Sequence, residues 1–132
     1  MKNEDALPIP TPESDQSVSR KPKLSVFGHN SVNLVYGGSG SAGGDGSEGA
    51  STIYDSLQAA GYEYNPVLKS FYESSAAGEV RDTPTMGDNT LAGVRIGETP
   101  IGNYTDAVRQ SYSEYSDAAV VVLSRVGGEG FD

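Results

Sequence analysis

One run near the end of the chain constrains the fold more than any other feature. Ala118 to Val126 reads AAVVVLSRV, with three consecutive valines and no polar alternation along its first half. A segment of this kind predicts a strand buried on both faces, and such strands belong to parallel sheets covered by helices. The segments upstream supply suitable partners. KLSVFG, Lys23 to Gly28, predicts a first strand with Leu24, Val26 and Phe27 to bury. Val32 to Tyr36 predicts a second extended piece. Ile53, Leu57 and Ala60 recur at helical spacing within Ser51–Ala60, and Gly61 stands at the stop. YEYNP predicts a short strand, after which Pro66 opens a helix carrying Val67, Leu68, Phe71 and Tyr72.

Thr105 is a fit N-cap for a helix running to Tyr115, with Asp106 in its first turn and Val108, Tyr112 and Tyr115 on its apolar face. Tyr54 and Tyr72 also fall on helix faces and read as core. Between the last two helices, residues 78–103 show no clean period beyond a short strand at Val94–Ile96. The order strand, helix, strand, helix, helix, strand predicts an α/β fold: a three-layer sandwich with a mainly parallel sheet flanked by helices.

Composition bounds the function. The chain has 132 residues, enough for one domain, with 17 glycines and 7 prolines that predict many irregular segments. A net charge of −9 argues against nucleic-acid partners, whose phosphates require clustered Lys and Arg. There is no cysteine and a single histidine, His29, so neither a thiolate nor a multi-histidine metal centre is expected. No stretch approaches the roughly 20 apolar residues of a membrane span. The opening MKNEDALPIP is acidic and has no apolar core of a secretory signal, which favours a bacterial cytoplasmic location. Met1 to Pro22 holds four of the prolines amid Ser, Asp and Glu and reads as a linker, with Leu7 and Ile9 available to pin it.

Two glycine-rich stretches are the candidate sites. Gly37 to Ser51 contains a literal G-x-G-x-x-G at Gly38, Gly40 and Gly43. A dinucleotide loop would lead straight into a helix whose N-terminus holds pyrophosphate. Here the helix begins about eight residues later, and Asp45 and Glu48 place negative charge where phosphate would lie, so no nucleotide cofactor is expected. The second stretch is VGGEGF. Ligands of open α/β sheets bind beyond the carboxyl ends of the strands. If Ala118–Val126 is a strand, Glu129 stands at such an end, and flanking glycines let substrate approach closely. A carboxyl there serves as a proton donor once its surroundings raise its pKa. The bland alternative is a solvated glutamate in a loop. His29, just past the first strand, could face the same cleft.

Four stretches together resemble the C-terminal α/β-sandwich domain of glycoside hydrolase family 3, the β-glucosidase type. KNEDALPIP, Lys2 to Pro10, is similar to the family's KNE…LPL segment, which leads from its barrel domain into the second domain. KLSVFG resembles that domain's first strand. YGGSGSAGG, Tyr36 to Gly44, resembles a glycine loop of one branch of the family, and DAAVVVLSRVGGEGFD resembles its DTAIVVISRxSGEGxD.

The resemblance implies a retaining β-glycosidase acting on β-linked oligosaccharides or glycosides from their non-reducing ends. Such enzymes use two carboxyl groups roughly 5–5.5 Å apart, one a nucleophile and one an acid/base. It implies that Glu129 is the acid/base, shaped by Gly128 and Gly130, and that the nucleophile aspartate belongs to a preceding barrel domain. It implies, more weakly, that Gly37, Gly38, Ser39 and Gly40 border the substrate; Arg125 matches the family's SR without an assigned chemical role. Residues 1–22 would then be the linker from a barrel, and 23–132 part of the sandwich domain. The barrel's SDW setting is absent, Gly127 replaces the usual Ser or Ala, and the family's domain continues past Glu129. The expectation is therefore a fragment, inactive alone. The alternative is a non-catalytic α/β binding module whose glycine loop holds a sugar or nucleotide.

Overall fold

The computed structural model describes residues 6–36, 49–80 and 96–125. Strand β1, Lys23–Phe27, forms where its apolar residues predict it, with its three inner residues buried. Alternation sends Leu24 and Val26 to one face and Ser25 and Phe27 to the other. The chain returns through helix α1, Ile53–Ala59, to strand β2, Glu63–Tyr64, and then through helices α2, Pro66–Tyr72, and α3, Asp106–Ser111, to strand β3, Ala118–Val121. The sheet is parallel throughout, in the order β2-β1-β3. Lys23 stands opposite Glu63, and Leu24 to Phe27 stand opposite Ala118 to Val121. The expected α/β class, with a parallel sheet and helical crossovers, holds.

Each helix begins on a polar side chain that satisfies its first free N–H groups. Thr52 and Asp55 form a reciprocal capping box on α1. Asn65 accepts from the N–H groups of Val67 and Leu68, with Pro66 in the first turn of α2. Thr105 accepts from Val108 N–H on α3, as predicted. The core lies where α2 and α3 meet the Ser25/Phe27 face of β1. Leu68, Phe71, Tyr72, Ala77 and Val108 are buried there, with Phe27, Val32, Tyr104 and Tyr112 packed around them. Full burial of side chains such as Leu68 and Phe71 contributes roughly 1.5–3 kcal/mol each. Phe27 meets Tyr112 edge-on at 5.2 Å. Beneath them Asn65 Nδ2 donates to Ser111 Oγ at 2.8 Å, and Ser25 Oγ donates to the Tyr115 carbonyl at 2.9 Å.

Four expectations are corrected. Strand β3 is shorter than Ala118–Val126 and is not buried on both faces: Ala119 and Val121 are exposed, while Ala118 and Val120 are half-buried. Among the described residues it pairs only with β1, and α3 packs on α2, which leaves one face of β3 uncovered. Val32–Tyr36 is not a strand. A 3-10 turn at His29–Ser31 continues through Val32 and Asn33, whose N–H groups bond back to His29 and Asn30 and not to a neighbouring strand. The third helix stops at Ser111 and gives way to turns. Ser111 and Ser113 hydroxyls bond back to the Val108 and Gln110 carbonyls and compete with the helical ladder. On α1 the buried residue is Tyr54, while Ala60 is exposed. Of the predicted strand at Val94–Ile96, only Ile96 lies within the described residues, as an isolated bridge.

The segment read as a linker is docked, by hydrogen bonds more than by apolar burial. Tyr62 Oη donates to the Ile9 carbonyl at 2.8 Å, and buried Thr11 heads a turn closed by Ser14 and Asp15. Leu7 remains 55% exposed. Arg20 forms a two-pronged pair with Asp117 at 2.5 and 2.8 Å, and Asp117 also accepts from Lys23 N–H at 2.7 Å. That cluster ties the entrance of β1 to the entrance of β3.

Candidate functional site

In the order β2-β1-β3 the chain leaves β1 toward β2 on one side and returns to β3 on the other. The carboxyl ends of β1 and β3 therefore form the switch point where open α/β sheets hold ligands. At this point β1 ends in Gly28, with φ +104° and ψ 120°. Val122 donates its N–H to the Phe27 carbonyl at 2.8 Å, and the Val122 carbonyl oxygen lies so close to Gly28 that a Cβ there would come within 3.0 Å of it. Only glycine fits this backbone and this approach.

The next residue is His29. Its main-chain N–H donates to Glu98 Oε2 at 2.8 Å, and its Nδ1 hydrogen-bonds with Thr99 Oγ1 at 3.0 Å. Its ring stacks on Tyr72, with centroids 5.6 Å apart and planes at 23°. Burial holds the imidazole below its ordinary pKa of 6.5, against the opposing pull of the Glu98 charge and a backbone bond to Tyr72. At neutral pH it is an uncharged imidazole, able to exchange a proton or accept a hydrogen bond. Tyr72 Oη accepts from Gly28 N–H at 3.2 Å and bonds with Tyr104 Oη at 2.9 Å. Burial, reinforced by Tyr104, raises the Tyr72 phenol well above its usual 10, so the Tyr72 hydroxyl acts here as a neutral hydrogen-bonding group. Behind this group Asn30 is 1% exposed: Nδ2 donates to the Gly97 carbonyl at 3.2 Å, while Oδ1 has no partner.

A cavity of about 290 Å³ opens at the same end of the sheet. Its walls are the segment after β1 (Ser31 to Leu34, and Tyr36), Tyr64 at the end of β2, the start of α1 (Thr52, Tyr54 and Asp55), Lys69 of α2 and Glu73 at the C-cap of α2. A second, about 390 Å³, lies at the amino ends, bordered by Lys21, Glu63 and Tyr115. The position rule for open sheets favours the first. Among the described residues no group of three His, Asp or Glu side chains could hold a metal ion, and no helix is long and apolar enough to cross a membrane.

Of the residues singled out from the sequence, Glu129 with its flanking Gly127, Gly128 and Gly130 lies outside the described residues, as do Gly37, Gly38, Ser39 and Gly40. Arg125 is described and exposed. His29 does stand at the carboxyl end of β1. Tyr54 and Tyr72 are buried as expected. Glu98 and Thr99 were missed, because they come from a stretch with no periodicity. The fold and site together define a parallel α/β protein whose polar groups gather at the sheet's switch point. No family model, no curated protein and no solved structure matches the chain.

Proposed function

We propose that this chain is part of the second domain of a retaining β-glycosidase of glycoside hydrolase family 3, with Glu129 as its acid/base and the nucleophile aspartate on a barrel domain outside these 132 residues. The sequence resemblance in four ordered stretches is the ground for the family. The structural observation that supports it is the parallel pairing of β1 with β3, which makes the chain leave both strands at the same end of the sheet. The GGSGSAGG stretch follows the first exit and the GGEG stretch follows the second. The polar groups at that end, His29, Glu98 and Thr99, are those expected beside a site for a hydroxyl-rich substrate.

The test extends the reading frame on both sides, expresses the whole protein and assays aryl β-glycosides with and without Glu129→Gln. General acid catalysis contributes about 10²–10⁴-fold. The variant should lose activity by that order on substrates with poor leaving groups and by much less on activated ones, which depart without a proton. The 132-residue chain alone should show no turnover, since it lacks half of the carboxyl pair. Unchanged activity of the variant on poor leaving groups, or turnover by the chain alone, overturns the proposal. If no barrel is encoded upstream, the non-catalytic binding module takes its place.

A further inference from the structure

We infer that the outer edge of strand β3 is a self-association surface, where a second copy of this chain pairs antiparallel about Val121 and joins two three-stranded sheets into one of six. Among the described residues β3 pairs on one side only, with β1. Val122 turns its N–H to the Phe27 carbonyl at 2.8 Å, so the N–H and C=O of its neighbour Val121 point to the opposite edge. Ala119, two residues back along the same strand, points the same way. An edge of unpaired main-chain groups is a template for another strand. Lys and Pro, the residues that commonly guard such edges, are absent from Ala118 to Ser124.

The side chains decide which partner fits. Exposure alternates without a break from Asp117 to Arg125, past the end of the strand. Asp117, Ala119, Val121, Leu123 and Arg125 therefore share one exposed face. In order they are an acid, three apolar side chains and a base. Val121 is 63% exposed and Leu123 86%. A row that is apolar at its centre and opposite in charge at its ends is complementary to its own reverse. With Val121 on the two-fold axis, Val121 meets Val121, Ala119 meets Leu123, and Asp117 meets Arg125 of the second copy. Moving the axis to Val120 would set Asp117 against Leu123. Moving it to Val122 would set Arg125 against Ala119. Charge thus selects both the occupant and the register.

The surroundings leave room for the pairing. Helix α3 packs on α2, so the Ala119/Val121 face of β3 stays open. Arg125 has no ion-pair partner among the described residues, and Asp117 Oδ1 accepts a single bond among them, from Arg20. Exposed charge pairs of this kind add little affinity and mainly fix orientation. The contact is shorter than stable interfaces of roughly 1,200–2,000 Å², and each copy carries a net charge of −9. The dimer is therefore weak, and it needs concentration and enough salt to screen the repulsion. Because the same edge serves both copies, association stops at two.

The experiment is sedimentation equilibrium of the full 132-residue chain, from about 10 μM to about 1 mM in about 0.15 M salt. A reversible monomer–dimer equilibrium is expected. Val121→Lys brings two ammonium groups together on the axis and should raise the dissociation constant at least about tenfold. Ile101→Lys, at an exposed residue away from β3, should leave it unchanged. Single cysteines read the register, because the native chain has none. Val121→Cys should lie about 5.5 Å from its mate between Cα atoms, inside the disulfide range of about 4.4–6.8 Å. The mates of Leu123→Cys should lie about 13 Å apart, at roughly 3.3 Å per residue. Mild oxidation should therefore link Val121→Cys at least about tenfold faster than Leu123→Cys. Circular dichroism checks that each variant remains folded, and all these positions are exposed, so the core is untouched. A monomer throughout the range, growth beyond a dimer, Val121→Lys associating like the native chain, or Leu123→Cys linking as fast as Val121→Cys overturns the inference. The pairing uses only the edge of β3, so its failure leaves the acid/base role of Glu129 untouched, and the reverse.

Discussion

Gly28→Ala probes the joint on which the switch point depends. At φ +104° an L-residue carries backbone strain of about 1–3 kcal/mol. The added Cβ also meets the Val122 carbonyl oxygen inside 3.0 Å, with the carbonyl carbon at 3.3 Å. Relief requires β3 to move away, and its terminal bond from Val122 N–H to the Phe27 carbonyl is the first to be lost, about 1 kcal/mol. Together the substitution should cost about 2–4 kcal/mol, a large share of a typical total of about 5–15. With a urea dependence near 2 kcal/mol per molar, the unfolding midpoint should fall by about 1–2 M. Gly102→Ala is the control: its Cβ would meet nothing within 4 Å and its φ is not in the left-handed region, so it should change stability by less than about 0.5 kcal/mol. Because the obstruction is a main-chain oxygen, trimming the Val122 side chain in the Gly28→Ala background should not restore stability. A midpoint for Gly28→Ala within error of Gly102→Ala, or full rescue by Val122→Ala, would refute the reasoning.

Asn65→Ala removes the cap of α2 and the buried donor to Ser111, and should cost about 2–3 kcal/mol by urea unfolding; a loss below about 0.5 kcal/mol would count against the cap. Asp117 is held well below its ordinary 3.8 by the Arg20 hydrogen bond first and Lys23 N–H second. A depressed carboxyl adds stability that is present above about pH 4 and is lost as pH falls toward the folded pKa. Urea midpoints from pH 7 to pH 3 should therefore fall more steeply for the native chain than for Asp117→Asn, and parallel curves would rule this out. His29 is the chain's single histidine, so its ring proton resonances are unambiguous in NMR. Their titration midpoint should lie below 6.5, and Glu98→Gln should lower it further by removing the charge that opposes burial. A midpoint at or above 6.5 would show that the imidazole is not desolvated as described.

Much of the fold was legible because local chemistry dictates it. The Thr105 cap and Pro66 in the first turn of α2 follow from backbone groups that every helix must satisfy near its own residues. The parallel class was read correctly from the alternation of strands with helices long enough to cross over, whereas the burial on both faces read from the valine run does not hold. Burial was legible only in part. Val120 and Val121 are neighbours of identical type, yet one is half-buried and the other 63% exposed, because only one face of β3 is covered among the described residues. Composition cannot reveal which face a distant helix covers. The polar group around His29 was equally hidden. Glu98 and Thr99 reach it from some 70 positions away, and nothing in GETPIGNYT marks them as its partners. By itself, then, the sequence determined helices α1, α2 and α3, the Thr105 cap and the α/β class, because these follow from spacing and residue type along short stretches. Tertiary structure alone decided that the exits of β1 and β3 meet over Gly28, and that Tyr36, Tyr54, Asp55 and Glu73 enclose one cavity. Those arrangements rest on chain crossings and close approaches that no local spacing encodes.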